Sequence, residues 1–276
     1  MSHKQVHVRE LAAWGLDDYE FRAGTFDRTK PSQAEHLVAQ RTPFQQSTVV
    51  LAQESAQLMD ALLEHATRPD LLDEMTGLTW SLGVVDLRSL LAFQRRLSFN
   101  PEFPHPPAPA AKNWTALLDF SFGPAKPVLF DRLQDTAAHT LVLQSTNPNL
   151  HLRTTIDAAF PLSVHAGGPF FEVASYRDRW FLRDGYHRAY TLLQAGVFEV
   201  PAVIVRANTI EELGPTKPWF FSEELLFSET PPLVLDFLND ELVLEYNRPA
   251  LIKTLRITME ETLSPQHQEI NHEHCN

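Results

Sequence analysis

The sequence predicts an α/β (α+β) fold around a mixed sheet, and three consecutive stretches carry that prediction. Trp180–Arg183 reads as a strand, Ala189, Leu192, Leu193 and Gly196 recur at helical spacing, and Pro201–Val205 is a Val- and Ile-rich strand of the buried type. A strand, a helix and a strand in that order predict a parallel pair joined by a crossover helix. Just upstream, Phe170–Ala174 reads as a further strand, joined to Trp180–Arg183 by the polar turn Tyr176-Arg177-Asp178-Arg179.

The remaining elements are placed from the N-terminus onward. Residues 1–80 read as mainly helical: Ser32 and Glu35 fit a capping box after Pro31, opening a helix through about Arg41. A second helix carries Leu51, Ser55, Leu58, Leu62 and Leu63 on one stripe, which reads as core packing. Trp80–Leu87 reads as a strand, followed by a short helix with Leu90, Leu91 and Leu97. Pro101, Pro104, Pro106, Pro107 and Pro109 then impose an extended loop. From Trp114 to Ile156 the pattern is β-like, with Leu117, Phe120 and Phe122 in one strand. Thr140–Leu143 and Leu150–Leu152 flank a turn at Asn147-Pro148-Asn149. The organisation expected is a helical region over 1–80, a core domain over 81–260 with a β-rich insertion at about 101–157, and a polar tail over 261–276.

Composition excludes several classes of function. With 35 acidic against 23 basic side chains the net charge is -12, so nothing chain-wide offers the basic field that a nucleic-acid duplex requires. The single cysteine, Cys275, permits no internal disulfide. No apolar run approaches the ~18 residues that span a bilayer, and Met1–Glu10 holds no apolar leader, so a cytoplasmic protein without membrane contact is expected. The tail residues His267, His272, His274 and Cys275 are zinc-ligand types, but their spacing matches no closed site and they read as solvated.

The segment Arg183-Asp184-Gly185-Tyr186-His187-Arg188 carries the chemistry. Asp184 is a good N-cap, and Gly185 lets the chain turn sharply and leaves room for a ligand. The first-turn amides of the following helix lack intrahelical partners and sit at the positive end of its dipole. Two cationic side chain types, His187 and Arg188, stand in that same turn, where they are disfavoured unless an anion is near. A phosphate would meet free amides and a guanidinium that donates two parallel hydrogen bonds. The plainer reading makes Asp184 only a cap, His187 a surface residue and Arg188 the partner of a carboxylate such as Glu172.

The stretch from Gly168 to Tyr176, then Trp180-Phe-Leu-Arg-Asp-Gly-Tyr-His-Arg-Ala, Gly196 and Val200-Pro-Ala-Val-Ile-Val resembles the ParB/sulfiredoxin superfamily over 40 to 50 residues. Val84-Val-Asp-Leu-Arg-Ser-Leu-Leu, with Gln94-Arg95-Arg96 after it, resembles the first strand of that family and its phosphate-facing arginine. The resemblance implies ATP or CTP at the loop, with Gly185, Tyr186, His187, Arg188 and Arg95 around the nucleotide. Sulfiredoxins keep a cysteine where this chain has Tyr186, and the chromosome-segregating members carry a helix-turn-helix region that this acidic chain does not suggest. The function implied is nucleotide binding with phosphoryl transfer or nucleotide hydrolysis. Asp184, His187 and Glu172 are the candidate acid–base groups, and Mg2+ is a possible companion. The alternative is a non-catalytic nucleotide-sensing or protein-interaction module, and the third option is a nuclease.

Overall fold

The computed structural model describes residues 5–22, 26–52, 55–124, 129–135, 140–147, 150–154, 162–166, 168–258, 260 and 262–263. In chain order the elements are β1 (Gln5–Leu11), α1 (Lys30–Ala39), β2 (Val50–Leu51), α2 (Ala56–His65), α3 (Pro69–Glu74), β3 (Trp80–Asp86), β4 (Leu91–Ala92), β5 (Arg96–Phe99) and α4 (Trp114–Phe122). They continue with β6 (Asp131–Asp135), β7 (Thr140–Ser145), β8 (Leu150–Thr154), β9 (Leu162–Ala166), β10 (Glu172–Tyr176), β11 (Arg179–Asp184), α5 (Tyr186–Gln194) and β12 (Glu199–Arg206). Last come α6 (Ile210–Leu213), α7 (Glu223–Leu226), β13 (Val243–Pro249) and β14 (Lys253–Thr258). The class is α+β with mixed sheets.

Two compact units share the chain. Residues 1–127 and 168–250 form the first, and 128–167 with 251–276 form the second. The first holds a six-stranded sheet in the order β2-β3-β12-β10-β11-β4 and a three-stranded antiparallel sheet in the order β13-β1-β5. The second holds the antiparallel sheet β14-β7-β6 and the antiparallel pair β8-β9. The anticipated insertion at 101–157 therefore differs in extent: residues 101–127 belong to the first unit.

β12 is buried from Val200 to Val205, which fits its central place between β3 and β10. Pro201, which has no amide to donate, lies before Val203, where the pairing with β10 begins. The parallel partner of β12 is β10, and not β11 as the strand-helix-strand order suggested. A two-residue turn with Arg177 and Asp178 at φ 46 and 62 folds β11 back antiparallel on β10. The fully buried Val173 and Ala174 thus put β10 between β11 and β12. Glycine 196 ends α5 at φ 70, with Val197 N donating to Leu192 O at 2.9 Å and Gly196 N to Leu193 O at 3.1 Å. It is a helix stop and not part of the apolar stripe.

Other local expectations fail for identifiable reasons. The stretch 114–122 is a helix: Asn113 accepts a hydrogen bond from Ala116 N at 3.3 Å, and Leu117, Leu118, Ser121 and Phe122 form the buried stripe. Because Ser121 is polar, the stripe was hidden and Leu117, Phe120 and Phe122 resembled a strand. No helix carries Leu90, Leu91 and Leu97, since only the short 3-10 turn Leu87–Ser89 forms before the chain extends into β4 and β5. The capping box of Ser32 and Glu35 is not made, because Ser32 lies inside α1, which starts with Lys30 and Pro31. On α2, Ser55 is the cap and accepts from Leu58 N at 3.3 Å, while Leu51 belongs to β2 and Leu63 is exposed. β7 and β8 do not pair with each other, and Pro148 and Asn149 lie outside the described residues.

β1 is fixed at its buried end by an ion network that sequence patterning does not reveal. Glu10, fully buried, accepts from Arg22 at 3.0 and 2.7 Å, faces Arg96 at 2.9 Å, and accepts the Tyr246 hydroxyl at 2.9 Å. No described helix is long and apolar enough to cross a membrane.

Candidate functional site

The segment singled out by sequence does open α5, but its side chains turn inward. Gly185 is the N-cap at φ 96, and Asp184 ends β11 and, among the described residues, accepts a hydrogen bond only from its neighbour Gly185 N, at 2.7 Å. Asp184 is thus not the cap that the sequence suggested, since a left-handed Gly185 in the cap position carries its carboxylate out of reach of the next amides. Nor does Gly185 make room for a ligand: a Cβ there would meet the Phe171 ring at 2.8 Å, so an aromatic side chain already fills the space.

Arg188 holds the backbone. Its guanidinium donates to Phe120 O and Ser121 O at 3.3 Å each, to Phe170 O at 2.6 Å and to Pro169 O, and lies over the Phe171 ring at 5.6 Å. One side chain thereby ties the end of α4 and the approach to β10 onto α5, which resolves the puzzle of a cation at a helix start without an external anion. Arg95, the other expected phosphate contact, donates to Gly15 O at 2.9 Å and Phe220 O at 3.4 Å and lies over Phe221 at 4.2 Å. Tyr186 is buried, and its hydroxyl accepts from Phe93 N at 3.0 Å and Gln94 N at 3.3 Å. Burial raises its phenol pKa well above the ordinary value.

His187 is neutral. Its pKa is pushed down to about 4, chiefly by burial and further by His105. Nε2 lies 3.2 Å from the amide nitrogen and 3.1 Å from the carbonyl oxygen of Ser98, so either neutral tautomer finds a partner.

The two candidate carboxylates sit side by side in the β10–β11 pair. Glu172 opposes Asp184, and a register shift beside it leaves Arg183 as the extra residue of a bulge. Arg183 donates to Glu172 Oε2 and, at 3.2 Å, to Glu212 O. Glu172 has 3% exposure, and burial pushes its pKa up to about 7 against the pull of Arg183, with Asp184 and Glu74 adding to the rise. Asp184 is raised by burial as well, opposed by Arg188.

A raised acid pKa means that the folded state binds the proton more tightly than the unfolded chain. This stability is complete below about pH 4.5 and is lost as pH rises towards about 7. Thermal melts of the parent should therefore decline across this window by a few kcal/mol, and Glu172→Gln should flatten the decline while keeping an acceptor for Arg183. Parallel curves for parent and variant would contradict the assignment.

A ring-lined cleft opens beside the later turns of α5, at Tyr190, Thr191 and Gln194. Across the sheet β13-β1-β5, Asn247, His7 and Phe99 stand in one row of register partners. Phe99 meets Tyr190 with ring centroids 5.3 Å apart, and meets His187 edge-on at the same distance. His105, from the proline-rich loop, stacks on His187 at 4.5 Å and 15°. His7, Phe99, His105, Tyr190 and Asn247, with Phe103, Gln194 and Gln5, border a cleft of about 440 Å3, while His187 lies behind Phe99 and His105 and does not line it. Sequence reasoning missed it because attention went to the apolar stripe of α5. The signal was present on its polar face, where His187, Tyr190, Thr191 and Gln194 recur at helical spacing. A larger depression, about 810 Å3, lies at the start of α1, but no phenyl, phenol or indole ring lines it, and Arg28 and Lys30 share it with Asp240 and Glu241.

Among the described residues no group of three or more metal-ligand side chains comes together, and His267, His272, His274 and Cys275 lie outside them. No family model, no curated protein and no solved structure matches this chain.

Proposed function

We propose that this chain is a non-catalytic binding module for a small molecule of the nucleotide class, held in the cleft between β5, the proline-rich loop and α5. The carrying observation is the cleft of about 440 Å3 bordered by Phe99, Tyr190, His105 and Phe103. Its volume is in the ~300–1,000 Å3 range of small-molecule sites, and a base stacked on an aromatic side chain gains ~1–3 kcal/mol. The resemblance to the ParB/sulfiredoxin superfamily supports the ligand class and not its place, since Gly185, Tyr186, His187, Arg188 and Arg95 do not border the cleft; ATP and CTP are the first candidates, and the single cysteine supports a cytoplasmic setting.

Phosphoryl transfer has less support. Arg95 and Arg188 are engaged with backbone carbonyls, His187 with the Ser98 backbone, and His187, Glu172 and Asp184 do not border the cleft. Any Mg2+ would then arrive with its nucleotide. A nuclease has less support again, given the net charge of -12.

Calorimetric titration with ATP, CTP, adenosine and cytidine, beside a phosphate-release assay with Mg2+, tests the reading. Saturable binding of at least one of the four without release of phosphate is expected. Binding by none, or multiple-turnover release of phosphate, would overturn it.

A further inference from the structure

Resting on that reading, we infer that the cleft recognises the uncharged, heteroaromatic end of its ligand, a base or nucleoside, and offers nothing to its phosphates. Among the described residues that border the cleft, none is Asp, Glu, Lys or Arg. Its polar groups are carboxamides, a threonine hydroxyl and the Tyr190 phenol, with imidazoles at His7 and His105. A carboxamide both donates and accepts, which suits the alternating donors and acceptors along the edge of a base. Phe99 and Tyr190 supply ring faces, and Gln194 donates to the Tyr190 hydroxyl at 2.9 Å, which fixes the orientation of the phenol.

The cation that lies over Tyr190 strengthens the case. Arg9 lies 5.6 Å over the Tyr190 ring, but it donates to Asp240 at 2.8 Å, to Phe237 O at 3.0 Å and to Glu245. Glu245 also lies 3.4 Å from His7. A triphosphate reaching past Tyr190 would meet a guanidinium already neutralised by two carboxylates. The chain's net charge of -12 adds a repulsive field for any polyanion. Selection therefore falls on the ring, and phosphates extend into solvent.

The test compares nucleoside and triphosphate of the same base, adenosine with ATP and cytidine with CTP, by calorimetry at low and moderate salt. For the bound pair, the triphosphate is expected to bind no more tightly than its nucleoside; the nucleoside's dissociation constant should be unchanged by salt, and any deficit of the triphosphate should shrink as salt screens the acidic field. Tyr190→Ala should weaken nucleoside and triphosphate by the same factor, roughly tenfold or more if a stacked base is lost. Gln194→Ala, at an exposed position that the fold does not need, should weaken both by a smaller common factor, and melting temperatures establish that each variant is folded. A triphosphate that binds ten times more tightly than its nucleoside, with an advantage that fades in salt, would overturn this inference and leave the binding-module reading standing. Binding by none of the four would overturn both.

Discussion

Arg188→Ala is expected to destabilise the unliganded protein by ~2–4 kcal/mol, because removing a partly buried, multiply bonded charge strands its partners. The stranded groups are the carbonyls of Phe120, Pro169 and Phe170, together with the carboxylates of Asp184 and Glu172 that the guanidinium partly compensates; Ser121 O keeps the Phe171 amide at 2.9 Å. In a chain of this size the melting temperature should fall by roughly 10 °C. Arg188→Lys should recover only part of the loss, since a single ammonium cannot span two sides of a guanidinium fork. An arginine waiting for phosphate gives the opposite result: its removal relieves repulsion from the helix dipole, and the melting temperature holds or rises. Differential scanning calorimetry of the three proteins decides between the accounts, and an unchanged melting temperature for Arg188→Ala would reject the anchoring role.

Gly185→Ala carries the second large effect. At φ 96 an L-residue is strained by about 1–2 kcal/mol, and the new Cβ would stand 2.8 Å from the Phe171 ring. Phe171 is wholly buried and itself covered by Arg188, so the ring cannot move aside without disturbing the carbonyl contacts beyond it. Overpacking of this kind costs a further ~1–3 kcal/mol, giving a total of roughly 2–5 kcal/mol in equilibrium denaturation. A loss under ~1 kcal/mol would mean that the segment is looser than its contacts imply. The same measurement on Gly196→Ala gives a control with positive φ and nothing within 4 Å of the added Cβ, where only the strain should register.

The strands β10, β11 and β12 and helix α5 were legible because their residues follow one period each and end on turn residues with a plain mechanism. Arg177 and Asp178 adopt left-handed conformations in a tight hairpin turn, and Gly196 closes the helix. What periodicity could not show was the order of strands. Whether β12 joins β10 or β11 depends on which strand is buried on both faces, and Val173 and Leu182 look alike in sequence. α4 was misread because one buried serine interrupts its stripe.

For the site, the residue types were readable but their direction was not. A cation in the first turn of a helix signals an unusual environment, and the sequence alone cannot distinguish an external phosphate from four backbone carbonyls. The carbonyls come from residues 18 to 68 positions away from Arg188. The cleft drew on still more distant pieces: Gln5 and His7 on β1, Asn247 on β13 and His105 in the proline-rich loop. No local spacing links them: the pairing of β1 with β13 and β5 sets His7, Asn247 and Phe99 in one row, and the proline-rich loop brings His105 alongside.

The central claim is that α5 presents its first turn inward and binds ligand on its polar face, and imidazole NMR tests it most directly. His7 and His105 line the cleft, and His105 stacks on His187 behind it. On titration with adenosine or cytidine, the His7 and His105 ring signals should shift in saturable fashion while the Gly185 and Arg188 backbone amides move little. Shifts concentrated at those amides, with the two imidazoles unmoved, would place the ligand at the helix start and contradict the account.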